Sequence, residues 1–422
     1  MLKFKVFLIA LLALAFSGPV SADEGEIRKE LQMLRKRVEE LEGKLKEREM
    51  GKKPQLALPE SEKKGVAEIL MEKFGTLSIH GGAVGFYQGN NETQFDGTTI
   101  ENNNGLGYVA DLELAFKPIE RGEFYVRLHA GRGKGADRDL EDLLFANLNT
   151  IADDNPEDES DHFDLLEAYY TQTFWDEKAF LLVGKTEPVI LIDDNAFANA
   201  EDVQFVGKPF VNDPVLDSED EFGPLFAGSV SMFENLAFVL LYQSITAGGS
   251  KSEYDKVFNE PFIAAQLVYS PTISGFEGNY RLYGWGALYD HPKLTDEEKS
   301  EKGWGVGVSF DQKVHSKIGL FLRAGYHNET VYDVPWFWSI GSELMGLVPG
   351  REEDTIGIGL AGLIGNDDLE FHDTEYHLEA YYRIALGEYF SITPDLQYVV
   401  NPRGDCHGDD VFAGMLRAVV AF

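Results

Sequence analysis

Ionisable and aromatic side chains recur at every second position along several stretches of this sequence. In one stretch Glu379, Tyr381 and Arg383 alternate with apolar residues, and Asp395 and Gln397 do the same shortly afterwards. Alternation of this kind places such side chains on one face of a β-strand. A face that carries carboxylates, amides, guanidinium groups and tyrosines can exchange hydrogen bonds with a polyhydroxylated solute, whose apolar ring face packs on the tyrosines.

The same alternation assigns further polar residues to this face and assigns Leu166 to the opposite, apolar face. The further candidates are Arg127, His129, Glu167, Tyr169, Arg281, Arg323 and Glu343. Two interpretations stay open for each of them. The side chain binds a passing solute, or it belongs to a salt-bridge network that holds the shape of the sheet and is indifferent to any solute.

Sequence signals of an enzyme are missing. The chain has no serine-centred elbow, no glycine-rich phosphate loop and no pair of histidines at zinc-binding spacing. Its one cysteine, Cys406, excludes an intramolecular disulfide and a cysteine-based metal cluster. We therefore predict a protein that is not an enzyme and that uses no cofactor and no metal.

The charge balance excludes one class of partner. The chain has 72 acidic and 37 basic residues, a formal net charge of -35, and nucleic acid binding needs a basic surface. Acid is concentrated in residues 153–159 and 217–221. Such runs are typical of solvated loops, which could also bind divalent cations at a lipopolysaccharide surface.

The first residues predict export. Lys3 and Lys5 precede an uninterrupted apolar run from Val6 to Phe16, and small residues follow at 20–22. This is the pattern of a secretory signal peptide over residues 1–22, with Asp23 as the first mature residue. The apolar run is too short for a membrane anchor, which needs about 20 residues.

Residues 23–50 are predicted to form a short periplasmic coiled-coil helix. Apolar residues spaced by alternating fours and threes form the seam: Ile27, Leu31, Leu34, Val38, Leu41 and Leu45. Arg37 and Glu42 flank the seam in a pattern that resembles trimer-specifying coiled coils, in which such residues pair between helices. The alternative is a lone amphipathic helix that lies on another surface, since a helix this short is marginal alone.

Residues 51–74 are predicted to be a linker, and residues 75–422 a β-barrel. The pattern changes to a period of two at about Gly75, and about 16 strands can be counted from there to Phe422. Their connections alternate between short turns, such as 175–178, and long polar segments, such as 131–163. A membrane barrel requires this asymmetry, whereas a soluble β-sandwich does not. We therefore predict an all-β transmembrane barrel of antiparallel strands, preceded by the short α-helical coil.

One long polar segment has two possible positions. Residues 186–224 include the polar and aromatic residues Asp193, Asp194, Asn195, Phe197 and Asn199. The segment could fold into the barrel and narrow it, or it could lie outside as a surface loop.

Several stretches resemble the carbohydrate-selective porin (OprB) family. The most specific are LEAYYRIAL at 378–386 and SITPDLQYVVNP at 391–402; GLVPGREEDTIGIG at 346–359 and FANAEDVQF at 197–205 are weaker. The resemblance is dense in the last third and extends over about 75–422. It implies an outer-membrane porin through which sugars diffuse. The classical sugar porins are not defined by an N-terminal coil.

The expected function is passive diffusion of small hydrophilic solutes, by resemblance carbohydrates, across the outer membrane. The alternatives are a pore for ions or metal chelates, and a structural protein whose coil ties the outer membrane to the cell wall. The expected partners are outer-membrane lipid, lipopolysaccharide and the solutes, with assembly as a homotrimer and contact of the coil with peptidoglycan as further expectations.

Overall fold

The structure is a computed structural model, and it describes residues 77–95, 98–100, 102–156, 160–217, 222–245 and 257–422. The predicted signal peptide (1–22), coil (23–50) and linker (51–74) lie outside the described residues. Within the described residues no helix has both the length and the apolar character needed to cross a membrane.

Most of the described strands form one antiparallel sheet that closes on itself. Sixteen strands make the wall, because the sheet has 17 strands and one of these, β11 (Thr272–Ile273), is only a two-residue extension of the hairpin between β10 (Phe262–Tyr269) and β12 (Phe276–Lys293). Closure is made by β1 (Leu77–Asn90), which pairs with β4 (Asn104–Ile119) on one side and with β19 (Val411–Ala421) on the other. The predicted barrel class and strand number are confirmed.

The first half of the wall consists of β1 (Leu77–Asn90), β4 (Asn104–Ile119), β5 (Gly122–Arg132), β6 (His162–Phe174), β7 (Ala179–Thr186), β8 (Gly223–Phe233), β9 (Leu236–Gln243) and β10 (Phe262–Tyr269). The second half consists of β12 (Phe276–Lys293), β13 (Asp296–His315), β14 (Ile318–His327), β15 (Trp336–Met345), β16 (Thr355–Ile364), β17 (Thr374–Ala385), β18 (Phe390–Val400) and β19 (Val411–Ala421). A small hairpin, β2 (Thr93–Phe95) and β3 (Thr98–Ile100), lies between β1 and β4, and β11 is Thr272–Ile273.

Side chains alternate between the two surfaces of the wall. Leu396 is 55% exposed on the outside, whereas its neighbour Asp395 is 1% exposed on the inside. Leu106 and Leu240 also face outward. An apolar outer surface suits lipid, and closure satisfies the backbone hydrogen bonds that an open edge would expose to hydrocarbon.

Leu166 departs from the predicted alternation. It is 4% exposed and buried, whereas Leu165 faces out. The cause is a β-bulge: Arg127 pairs with Glu167 and Leu128 pairs with Leu165, so Leu166 has no partner of its own in the register. The prediction that Leu166 lies on the apolar outer face is therefore wrong.

Short and long connections lie at opposite rims, as the sequence predicted. One rim carries tight turns such as 120–121 and 234–235, and the other carries the long segments. Two of these long segments fold back into the barrel. We name residues 133–156 the first inward loop, with helix α1 (Asp137–Leu140) and 3-10 turns at Glu141–Leu143 and Thr150–Ala152. Residues 187–217 are the second inward loop, with a 3-10 turn at Pro188–Ile190 and helix α2 (Lys208–Val211).

Candidate functional site: a polar cavity beside the inward loops

Arg323 anchors the second inward loop at the middle of its path. It lies on the inner face of β14, is 0% exposed, and has a guanidinium that donates hydrogen bonds to two loop carbonyls, those of Ala198 and Phe210, each at 2.6 Å. It also donates to a carboxylate oxygen of Asp193 at 3.1 Å and to the amide oxygen of Asn199 at 3.0 Å. The planar fork of arginine carries five donors on three nitrogens, so it can serve more acceptors, and acceptors further apart, than the three donors on a single ammonium nitrogen.

A second anchor lies across the barrel on β17 and β19. Glu379 accepts hydrogen bonds from the backbone N–H groups of Val206 at 2.7 Å and Gly207 at 2.9 Å. Arg417 donates to the carbonyl oxygens of Glu201 and Gln204. Because the loop starts between β7 and β8 and reaches β19, it crosses the bore of the barrel.

The start of the second inward loop is held by carboxylates. Asp194 accepts from Arg281 at 2.7 Å, and Asn195 donates to the hydroxyl of Ser309 at 3.2 Å. Tyr283 donates to Asp213, which lies in the loop. Burial, together with the nearby charge of Asp193, raises the pKa of Asp213 to about 7.

Aromatic rings of the loop fill hollows in the wall. Gly359 has no side chain on the inner face of β16, and a Cβ there would lie 2.7 Å from the ring of Phe210. The ring of Phe197 lies similarly close to Gly319 on β14. Glycine at these positions lets each ring approach the backbone, so packing and hydrogen bonds together fix the loop.

The first inward loop is fixed to β17 and β18. Gln397 donates to the carbonyl oxygen of Leu148 at 2.8 Å, and the N–H of Phe145 donates to Glu375 at 3.0 Å. Leu148 also packs with Val399 in an apolar cluster. Other parts of the two loops pack against β1, β4 and β7–β10, so together the loops fill much of the bore.

A polar cavity of about 410 Å³ remains between the two loops and the strands β1, β4, β5 and β19. It extends from the loop residues Thr150 and Glu201 to His80, near the N-terminal end of β1, and Phe422, just after the C-terminal end of β19. Its volume falls within the range of about 300–1,000 Å³ that is typical of small-molecule sites.

Cross-strand pairs on β4 and β5 form the wall of this cavity. Asp111 pairs with His129 and Glu113 pairs with Arg127 in the register. The Nε and one terminal nitrogen of Arg127 donate to the two oxygens of Asp111 at 3.0 and 3.1 Å. The Nδ1 of His129 lies 3.0 Å from Asp111, and Glu167 on β6 lies 3.9 Å from Arg127.

A pair of tyrosines lies beside these charged groups. The rings of Tyr125 and Tyr169 stack with centroids 4.9 Å apart and an interplanar angle of 27°. Tyr125 lies two positions before Arg127 on β5, and Tyr169 lies two positions after Glu167 on β6, so each tyrosine shares the inner face of its strand with that charged residue. A flat, half-buried aromatic surface next to carboxylates and a guanidinium can take both the apolar face and the hydroxyl groups of a sugar ring.

The residues selected from the sequence divide into two groups in the structure. Arg127 and His129 line the cavity, with Glu167 and Tyr169 beside them. The residues of the other group lie on the inner face of β12–β18, where they are buried and most of them contact an inward loop. They are Arg281, Arg323, Glu343, Glu379, Tyr381, Asp395 and Gln397. Arg383 contacts Thr355 at the far end of β17, away from the described loop residues. The segment with Asp193, Asp194, Asn195, Phe197 and Asn199 lies inside the barrel.

Sequence reasoning did not select several residues of the cavity. Asp111 and Glu113 could have been found, because they alternate with the outward Leu112 on β4. No comparable signal existed for Asp154 and Glu201, because they lie on loops and reach the cavity only through the tertiary fold. Among the described residues no group of three or more histidine, cysteine, aspartate or glutamate side chains is arranged to hold a metal ion.

Comparison with known proteins decides the family. The model of the carbohydrate-selective porin, OprB family, matches residues 97–422. The chain belongs to the OprB family. This porin is 23% identical to Porin B of Pseudomonas aeruginosa over 207 residues, a match that covers 38% of the chain and spans less than half, 45%, of Porin B.

Two further matches extend over more of this porin. An uncharacterised protein of Aquifex aeolicus is 28% identical over 305 residues, which cover 70% of the chain and 85% of that protein. The structure of Pseudomonas putida OprB at high pH superposes with a TM-score of 0.71 at 16% identity, covering 84% of this chain and 96% of the other. The fold is therefore that of an outer-membrane porin, and the protein is a channel rather than an enzyme.

Proposed function

We propose that this porin lets small hydrophilic solutes, above all carbohydrates, diffuse through the cavity beside the inward loops. The carrying observation is the stacked pair Tyr125 and Tyr169 next to Arg127 and Asp111 within a closed barrel. Sugar rings expose apolar faces and equatorial hydroxyl groups, so a site that offers an aromatic surface and charged hydrogen-bonding groups matches both.

We assign different roles to the two groups of inner residues. Arg127, His129, Glu167 and Tyr169 contact the solute. The second inward loop narrows the passage, and residues such as Arg323 and Glu379 hold it in place. This division is supported by burial, because Arg323 and Glu379 use their polar atoms on loop backbone groups.

The test is block of single-channel current by sugar in planar bilayers that contain the purified porin. Glucose and maltose should reduce the current in a concentration-dependent way. Truncation of either stacked tyrosine, Tyr125→Ala or Tyr169→Ala, should weaken the block about fivefold, since an aromatic contact contributes about 1 kcal/mol.

The matched control is Tyr269→Ala. Tyr269 also stacks with a cross-strand tyrosine, Tyr280, at an interplanar angle of 27°, but it faces outward and is exposed. It should leave sugar block unchanged. Block that is absent from the unmodified porin, or equally weak in all three variants, would contradict the proposal.

We further propose that the mature chain works as a homotrimer whose N-terminal coil, with Ile27, Leu34 and Leu41 at one seam position, lies in the periplasm. The support is the heptad spacing. Lipid and lipopolysaccharide would cover the outer surface, where Leu106 and Leu396 are exposed. Contact of the coil with peptidoglycan, which would make the protein a tether, is the competing proposal for the same segment.

A further inference from the structure

We propose that the cavity prefers cationic to anionic solutes, and that the solutes it favours most are hydroxylated organic cations, the class of the amino sugars. This inference rests on the proposed function, because it requires the cavity to lie on the solute path. Its basis is the charge and hydrogen-bonding character of the cavity wall.

The formal charge of the wall is negative. Among the described residues that line the cavity, carboxylates are carried by Asp111, Glu113, Asp154, Glu201 and Asp202. One lining residue of the described chain, Arg127, carries a guanidinium. Five carboxylates against one guanidinium leave a formal charge of −4. Burial raises the pKa of Asp202, but even with Asp202 protonated, four carboxylates face one arginine.

The positive charge of Arg127 is already compensated. Asp111 accepts two hydrogen bonds from it in a bidentate arrangement, and Glu167 lies 3.9 Å from its remaining terminal nitrogen. An anion would have to compete with both carboxylates for this guanidinium. Among the described residues no cationic side chain forms an ion pair with Glu113, although Arg127 lies opposite it in the register, and Glu113 lines the same cavity.

A second, independent observation concerns His129, which lines the cavity and is 2% exposed. Its Nδ1 lies 3.0 Å from Asp111, whereas its Nε2 has no hydrogen-bond partner among the described residues. If Nδ1 donates to Asp111, Nε2 is an acceptor. A buried acceptor without a partner favours a ligand that supplies a donor.

The wall is therefore rich in acceptors and poor in uncompensated donors. A protonated amine offers three donors and a positive charge, and neighbouring hydroxyl groups add further donors. A sugar acid offers the opposite charge and would face several carboxylates in a confined space. With the stacked Tyr125 and Tyr169 for the ring face, the wall suits a protonated amino sugar better than a neutral sugar, and a neutral sugar better than a sugar acid.

The first measurement is the reversal potential of the purified full-length porin in a bilayer between concentrated and dilute potassium chloride. The dilute side should become positive, with a potassium-over-chloride permeability ratio of about 10, because the cavity lining carries more carboxylates than guanidinium groups within a Debye length of the path. In liposome swelling at about pH 6, where the amine is protonated, glucosamine should enter faster than glucose, and glucuronate slowest.

The test variant is Glu113→Gln with Asp202→Asn, which replaces two carboxyl groups by amides and keeps the side-chain shapes. It should lower the permeability ratio at least about twofold and reduce the advantage of glucosamine over glucose. The matched control is Asp367→Asn with Asp368→Asn, which removes two exposed charges from the loop between β16 and β17. The control should keep the selectivity of the unmodified porin.

The outcomes separate this inference from the proposed function. Glucose entry with equal potassium and chloride permeability would overturn the charge preference and leave the sugar channel standing. The same loss of selectivity in test and control variants would also overturn it, because exposed carboxylates at the surface, and not those of the cavity, would then attract the cations. A porin that passes neither ions nor glucose would overturn both.

Discussion

Replacement of Arg323 by methionine should release the second inward loop. Arg323 makes five hydrogen bonds to the loop: two to Asp193, two to the carbonyl oxygens of Ala198 and Phe210, and one to Asn199. Its ion pair with Asp193 is 3.0 Å long, and both side chains are 0% exposed. Methionine keeps much of the volume and removes every donor.

The free-energy cost of this substitution comes mainly from Asp193, whose buried carboxylate loses its ion-pair partner. Removing one member of a buried ion pair costs about 3–5 kcal/mol, because the other charge is left unpaired. A cost of about 4 kcal/mol corresponds to a factor of about 1,000 in the equilibrium between docked and undocked loop. The wall should persist, since its strands are hydrogen-bonded to one another independently of the loop.

The assay combines single-channel conductance with limited proteolysis of the folded porin. Arg323→Met should give a larger or noisier current and faster cleavage within residues 187–217. Arg323→Lys should give a current and a cleavage rate between those of the unmodified porin and Arg323→Met, because one ammonium cannot reach all the acceptors of the guanidinium fork. The control is Arg351→Met, which breaks the pair with Asp354 in the turn between β15 and β16.

One result would refute this reasoning. If Arg323→Met folds with the conductance and protease resistance of the unmodified porin, the hydrogen bonds of Arg323 do not hold the loop. Packing of Phe197 and Phe210 against the wall would then be the main source of docking. Equal effects of Arg351→Met would show that any lost arginine pair disturbs the barrel.

Two further predictions concern pH and the N-terminal segment. Asp213 lies in the loop, and burial together with the charge of Asp193 raises its pKa from an ordinary value of 3.8 to about 7. Between these two values the docked loop binds a proton that the undocked loop releases, so docking should weaken as pH rises from about 4 to about 7 and change little above that. Asp213→Asn should remove this pH dependence of the open-channel noise. A pH-independent current in the unmodified porin would count against it. Deletion of residues 23–45 should abolish trimers on native gels if the coil drives assembly, whereas intact trimers and conductance with a leaky cell envelope would favour the tether.

The predicted strands agree well with the structure because alternation is a local property. Outward Leu378 and Leu396, and inward Glu379 and Asp395, could be assigned from their neighbours alone. The assignment failed at Leu166, because a bulge depends on the partner strand and leaves no mark in the local pattern. The same rule would have found Asp111 and Glu113 if it had been applied to β4.

The role of an inward residue could not be predicted in the same way. Arg127 and Arg323 have the same chemistry and the same alternation in the sequence. In the structure one lines a cavity and the other is buried under a loop. The difference comes from the path of residues 187–217 through the barrel, and that path is set by contacts between residues more than 100 positions apart, such as Arg323 with Ala198 and Glu379 with Val206.

Taken alone, the amino-acid sequence determined the barrel, its number of strands, the two surfaces of its wall and the short and long rims. Each of these follows from side-chain periodicity and turn residues, which act over a few neighbouring positions. The tertiary structure alone decided that two loops fold into the bore and leave a polar cavity against β1, β4, β5 and β19. It did so because burying a polar loop requires a partner for each backbone group, and those partners come from distant strands.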